Sequence, residues 1–164
     1  MWSNNDELNG SDKIKACIPY VLPILDGDSF GKYIYQRVPP LHTVDDILLQ
    51  PLVTILQAYP ILSIALFVLL SLGTRFSAET MSRNVRFNAQ QAVLIDMVLI
   101  FPTLVMEGLD GVEIPRVYSE FGCNFVWYFY MSAVVYSITM NLRGKKPDDI
   151  PYLSNFAETM TGPF

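Results

Sequence analysis

The chain alternates long uncharged stretches with short charged ones, and the uncharged stretches set the elements. No residue from Ile47 to Thr74 is charged, a run of 28, and Thr54–Gly73 is its most apolar part. As a helix such a run would reach about 42 Å, more than the roughly 30 Å of a bilayer's hydrocarbon core. Pro51 is placed to start this helix and Pro60 falls inside it, where a missing N–H predicts a kink turned toward protein rather than lipid. A second run, Phe121–Leu142, has 22 residues and contains Trp127, Tyr128, Tyr130 and Tyr136. Between them, Phe87–Met106 is 20 residues long and broken only by Asp96, so a membrane helix over Ala89–Met106 carries one buried acid. The first apolar run, Ala16–Leu25, is ten residues, too short to cross. Extending it to Tyr35 admits Asp26, Asp28 and Lys32, with Pro19 and Pro23 weakening a helix and Gly27 and Gly31 as breaks. It reads either as a short, polar first span or as a segment lying at the interface. The pattern therefore predicts an all-α integral membrane protein of four transmembrane helices, the first short and polar. They lie at about 16–35, 54–73, 89–106 and 121–142, between a polar N-terminal tail (1–15) and a polar C-terminal tail (143–164) that is partly extended from Pro147 onward.

Composition agrees. Hydrophobic residues make up 51% of the 164 and charged residues 16%, with a mean hydropathy of +0.30. Soluble domains carry about 25% charged residues, and a chain this short cannot bury so much apolar side chain in its own core. The net charge of −5 argues against a nucleic-acid binder, which needs a basic surface for phosphates. Cys17 and Cys123 have no neighbouring thiol, so neither a zinc spacing nor a disulfide framework is present. The polar start, Met1–Ser11, is neither a signal peptide nor an Arg-rich, acid-poor transit peptide; either the chain is made in its own compartment or a presequence has been removed.

Lys and Arg orient the spans. With four spans, the two tails and the loop between spans two and three share one side. That side holds Lys13, Lys15, Arg75, Arg83, Arg86, Arg143, Lys145 and Lys146, eight of the 11 basic residues. The opposite loops hold Lys32, Arg37 and Arg116 against eight acids. Three spans would also be compatible with the charges. The acidic loops are either a by-product of topology or an attractive mouth for basic segments.

No catalytic pattern is present: HExxH, GxSxG, GxGxxG and Walker A are all missing, and no enzyme activity, metal or cofactor is expected. His42, the only histidine, lies in a Pro-flanked segment without a second donor and reads as a solvated loop residue. In the third span Asn88, Ala92, Asp96, Leu99 and Thr103 share a helical face. Asn88, Ala92, Asp96 and Thr103 are thus the candidates for a pore lining or a polar face between helices. A carboxylate in hydrocarbon costs at least about 2.5 kcal/mol, so Asp96 should face water or a partner helix. On the last span Asn124, Tyr128, Ser132, Tyr136 and Thr139 form a second stripe, read as interhelical packing. Arg75, Arg83 and Arg86 read as topology determinants.

Val85-Arg86-Phe87-Asn88-Ala89-Gln90-Gln91-Ala92, followed by Asp96, resembles the signature of the twenty-kilodalton Tic family, the channel subunit of the chloroplast inner-envelope protein translocon. Ile18-Pro19-Tyr20 with Pro23, then Asp26-Gly27 and Gly31, looks like that family's first-span motif, and the likeness covers about residues 16–142. Gln90 stands where relatives often have an apolar residue. The resemblance implies a four-helix protein of the plastid inner envelope membrane, multi-pass, with both termini stromal. It implies a contribution to the channel that conducts unfolded precursor polypeptides, with other TIC subunits, and TOC components beyond them, as partners alongside the lipid bilayer. Arg86, Phe87, Asn88, Ala89, Gln91 and Ala92 carry over as family motif residues at the stromal end of the third span, without an assigned role. The competing functions are a small-solute or ion carrier using Asp96, and a non-conducting scaffold subunit of a membrane complex.

Overall fold

The computed structural model describes residues 10–76 and 81–162. Residues 1–9 of the polar N-terminal tail and the Arg75 side chain, counted among the topology determinants, lie outside the described residues. All secondary structure among the described residues is helical.

The segment expected as a first span is a chain of short helical pieces. These are α1 (Gly10–Cys17), a 3-10 turn (Ile18–Tyr20), α2 (Val21–Asp26), a 3-10 turn (Asp28–Gly31) and α3 (Lys32–Arg37). The prolines explain the breaks, since each removes an N–H from the ladder; Pro19 sits at the start of the first 3-10 turn, where none is needed. Gly27 and Gly31 serve closeness rather than flexibility. Both keep ordinary right-handed backbone, but a Cβ on Gly27 would lie 2.7 Å from the Tyr130 ring, and one on Gly31 would lie 2.3 Å from the Tyr35 ring.

The second expected span is a corner, not a kinked rod. α4 (Pro39–Val44), a π-helical stretch (Asp45–Leu49) and α5 (Gln50–Ala58) form one arm, and α6 (Pro60–Phe76) forms the other. The arms Pro39–Ala58 and Pro60–Thr74 meet at 104°. Pro60 restricts the residue before it, and Tyr59 is driven out of the helical region to φ −130°, ψ 74°. Pro51 falls at the start of α5, but the arm begins earlier, at Pro39.

The two remaining spans are long helices. α7 (Arg83–Gly108) has 26 residues and α8 (Arg116–Leu142) has 27, each about 40 Å long. Both start upstream of the charge gaps that located them. They run antiparallel, because Asn88 meets Asn141 at one end while Met106 meets Cys123 toward the other. The C-terminal tail is not extended throughout: α9 (Leu153–Thr161) docks on the first half of α7 through Ser154, Ala157 and Thr161. Tyr20, Phe30, Ile34, Leu99, Trp127 and Tyr130 fill the centre between the first segment, α7 and α8.

Among the described residues only α7 is both long and apolar enough to cross a bilayer, and the bent pair of arms counts as a second only if taken as one span. The all-α expectation holds among the described residues, while helix length and composition do not show four transmembrane helices. The first segment is broken, the second turns a corner and α6 alone reaches only about 26 Å. α8 is long enough, but its tyrosines and Asn124 lower its hydropathy. What does resemble a membrane protein is the partition of side chains. Asn88, Gln90, Gln91 and Asn141 are fully buried, whereas Ile61, Leu69, Phe101, Val117, Phe121 and Phe125 are largely exposed.

The glycine geometry gives a paired test. Gly27→Ala should lower stability in detergent by about 1–3 kcal/mol, the cost of overpacking. Gly122→Ala, in α8 with nothing within 4 Å of the added atom, should be neutral or raise it by up to about 1 kcal/mol. Thermal unfolding of the two variants checks both.

Candidate functional site

The first three turns of α7, from Asn84 to Val93, are buried on every side, although the sequence there is rich in amides. Such groups are tolerated inside only if they find partners. The structure supplies most of them from five elements, while among the described residues the carboxamide oxygens of Gln90 and Asn141 have no hydrogen-bond partner. Asn88 Nδ2 donates to Asn84 O one turn back (2.8 Å), and Asn88 Oδ1 accepts from Asn141 Nδ2 of α8 (2.7 Å). The Tyr20 hydroxyl sits 2.8 Å from both Asn88 Oδ1 and Gln91 Oε1 and gives its one proton to either. Asn141 Nδ2 also donates to Ala16 O at the end of α1 (3.3 Å). Gln91 Nε2 donates to Pro147 O (3.0 Å) and Ser154 Oγ (2.9 Å), which fastens α9 and the segment before it. Gln90 points the other way, donating to Ser71 O (2.9 Å) and to the Thr74 hydroxyl on α6.

Charges close the rim. Arg86 Nη1 reaches Thr161 O at the end of α9, and Glu158 of α9 pairs with Arg83 (2.5 Å) and with Lys146. The Lys146 ammonium lies 4.2 Å from the centre of the buried Phe87 ring. Ala89 and Ala92, both essentially inaccessible, let the neighbouring helices approach. All six motif residues, Arg86, Phe87, Asn88, Ala89, Gln91 and Ala92, therefore belong to one hub at the end of the bundle that also holds α1, α9 and the end of α8. Arg83 and Arg86, read from sequence as topology determinants, also tie α9 to α7.

The polar stripe of α7 divides. Asn88 and Ala92 are sealed between helices. Asp96, almost wholly buried, lies against Asp26 of α2, which accepts from Ser63 Oγ of α6 (3.3 Å). Thr103 turns its hydroxyl back to Leu99 O (2.8 Å) and, with Asp26 and Asp96, lines a cavity of about 250 Å³. The stripe on α8 is a correction. Tyr128 and Ser132 are exposed and Tyr136 bonds Asp149 of the tail (3.1 Å), so that face does not pack between helices. The packed face is Cys123, Trp127, Tyr130, Val134, Ser137 and Asn141, also at three- and four-residue steps. His42 lies in α4 rather than in a loop, with Nδ1 2.7 Å from Asp46 Oδ2. Among the described residues no three His, Cys, Asp or Glu side chains are grouped to hold a metal, and both thiols are free.

Tyr20, Asn141, Ser154 and Gln90 are hub residues that the sequence did not single out as such. Tyr20 stood in a motif that was read for its prolines, and Asn141 falls outside the polar stripe proposed for its helix. The partners of Tyr20, Asn141 and Ser154 on α7 are 53 to 71 residues away, and those of Gln90 on α6 are 16 and 19 away, and no local periodicity reports a pairing at either range.

The amides of the hub lie inside the region shared with known proteins, and Glu158 and Thr161 of its rim fall just beyond it. The family profile described as "Chloroplast import apparatus Tic20-like" matches residues 12–157. Protein TIC 20-v, chloroplastic, of Arabidopsis thaliana is 30% identical over 149 residues, covering 87% of this chain and 68% of that protein. Protein TIC 20-II, chloroplastic, of the same plant is 30% identical over 153 residues, covering 90% and 71%. A Tic20 family protein of Synechocystis sp. is 27% identical over 159 residues, covering 94% of this chain and 96% of its own length. No solved structure gives a significant match. With the family profile covering nearly the whole chain, the chain belongs to the chloroplast import apparatus Tic20-like family.

Proposed function

We propose that the chain is a membrane subunit of the plastid inner-envelope protein import translocon and contributes to the path taken by precursor polypeptides. The observation that carries the membrane part is the inverted partition: amides inside, and phenylalanine, isoleucine and leucine outside on α6, α7 and α8. The family name carries the import part. Other translocon subunits are the partners this reading requires. The centre of the bundle is filled by Tyr20, Trp127 and Tyr130. A polypeptide would therefore pass between this subunit and its neighbours, along an outer face, rather than through the middle of one copy.

We read the membrane domain as residues 16–142 with four membrane segments, the first broken and the second cornered. Both ends lie on the basic side. Support comes from two directions: seven described basic residues belong to that side, and α1 and α9 both pack on the same end of α7. In a background lacking Cys17 and Cys123, an impermeant maleimide should label Ser11→Cys and Asn155→Cys from one side of sealed vesicles. Val112→Cys, in the loop after α7, should react only after permeabilisation. Labelling of one end without the other contradicts the four-segment reading.

The conducting role is tested by photo-cross-linking during import. A photoreactive residue at Thr103, which faces the small cavity, should capture an arrested precursor, and the same probe at sealed Asn88 should not. Capture of neighbouring subunits alone from Thr103 and from exposed Phe125 would make the chain a scaffold. Asp96, almost wholly buried against Asp26, keeps the carrier reading open only if Asp96→Asn alters solute flux without altering precursor capture.

A further inference from the structure

We propose that the groove between the second half of α7 and the first half of α8 binds one anionic membrane lipid, its headgroup held by Lys32 and Arg116 and an acyl chain lying in the groove. The inference rests on the membrane reading above.

The groove has a volume of about 580 Å³, within the range of small-molecule sites. Phe30 forms part of its wall, with Phe101, Val105 and Leu109 on α7 and Gly122 and Val126 on α8. It is open at its α8 wall, since a Cβ built on Gly122 meets nothing within 4 Å. An apolar trough of this kind suits a hydrocarbon chain.

One end of the groove is different. Ser119 of α8 lines it and is bonded to the Tyr33 hydroxyl (3.0 Å). Above the Tyr33 ring stand two cations, Lys32 Nζ at 5.0 Å and the Arg116 guanidinium at 5.9 Å from the ring centre. Lys32 itself also lines the groove. Among the described residues the membrane reading places Lys32, Arg37 and Arg116 on this side, and Arg37 is paired with Glu120. The two remaining cations thus stand by one aromatic ring, whose hydroxyl partner Ser119 lines the apolar groove together with Lys32. Tyrosine is typical of the membrane interface, with its ring in the apolar layer and its hydroxyl among headgroups. Asp110 also lines the groove and repels a headgroup, which confines the negative end to the Tyr33 side. A soluble anion would leave the apolar wall unused, and an apolar partner helix would leave the cations unused. An anionic amphiphile uses both.

The test is native mass spectrometry of the full chain in mild detergent with added dioleoyl phosphatidylglycerol, dioleoyl phosphatidylcholine or glycerol phosphate. One phosphatidylglycerol should be retained about tenfold more than phosphatidylcholine, as expected for two cations acting on one negative charge, and glycerol phosphate should not be retained. Lys32→Gln with Arg116→Gln, both at the surface, should bring phosphatidylglycerol down to the phosphatidylcholine level. Gly122→Phe, which fills the groove and spares the cations, should reduce retention of both lipids. Equal retention of the two lipids, retention of glycerol phosphate alone, or an unchanged preference in the double variant overturns the proposal. Flotation with vesicles separates the two levels. A wild-type chain that floats without lipid preference refutes the lipid site alone, whereas one that does not float refutes the membrane reading and the site with it.

Discussion

The carboxamide of Asn88 is the point on which the rest of the structure depends. Inside an apolar assembly an unpaired amide costs about 1–3 kcal/mol, so a buried amide is favoured where the chain itself answers it. Asn88 is answered by α8 through Asn141 and by the first segment through Tyr20. Gln91 extends the same chain of bonds to α9, and Gln90 extends it to α6. Five pieces of a broken, cornered chain are thereby fixed at one place. Apolar contact alone would not do this between helices in lipid, because lipid tails are as apolar as leucine.

That requirement makes the molecule asymmetric. At the hub end α7 is enclosed by α1, α6, α8 and α9, and even small side chains such as Ala92 have no exposure. Past Asp96 the same helix opens: Met97, Ile100, Phe101 and Leu104 face outward, and α8 opposite them shows Phe121 and Phe125. The closed end has the features of a structural clamp. The open end carries the cavity by Thr103 and the groove by Gly122, and it is where contacts with lipid, partner subunits or a passing chain have room.

How much of this was readable from the sequence follows from the range of each interaction. α7 and α8 were legible because an uncharged run of some twenty residues is a local property. The motif was legible as a set of residues, but its role was not, since it is defined by partners more than fifty positions away. The corner at Tyr59 was anticipated as a kink at Pro60. What turned it into a right angle is that α6 packs on α7 while α5 packs on α2, a tertiary choice that proline only permits. α9 was missed because its buried face is Ser154, Ala157 and Thr161, small and hydroxylated residues, while its largest apolar side chain, Phe156, is exposed. The stripe on α8 misled because tyrosine and serine at helical spacing suit an exposed face as well as a packed one.

The most direct measurement of the hub is a double-mutant cycle on Asn88 and Asn141, with Asn88→Ala, Asn141→Ala and the pair unfolded reversibly in detergent or bicelles. Interhelical hydrogen bonds in membrane proteins contribute on average about 0.6 kcal/mol and at most about 1.7. A central, fully buried pair should lie at the upper end, with a coupling of about 1–1.7 kcal/mol and each single variant losing more than that. Additive single variants, with coupling below about 0.3 kcal/mol, would mean that the amides merely fill space and that something else holds the five segments together.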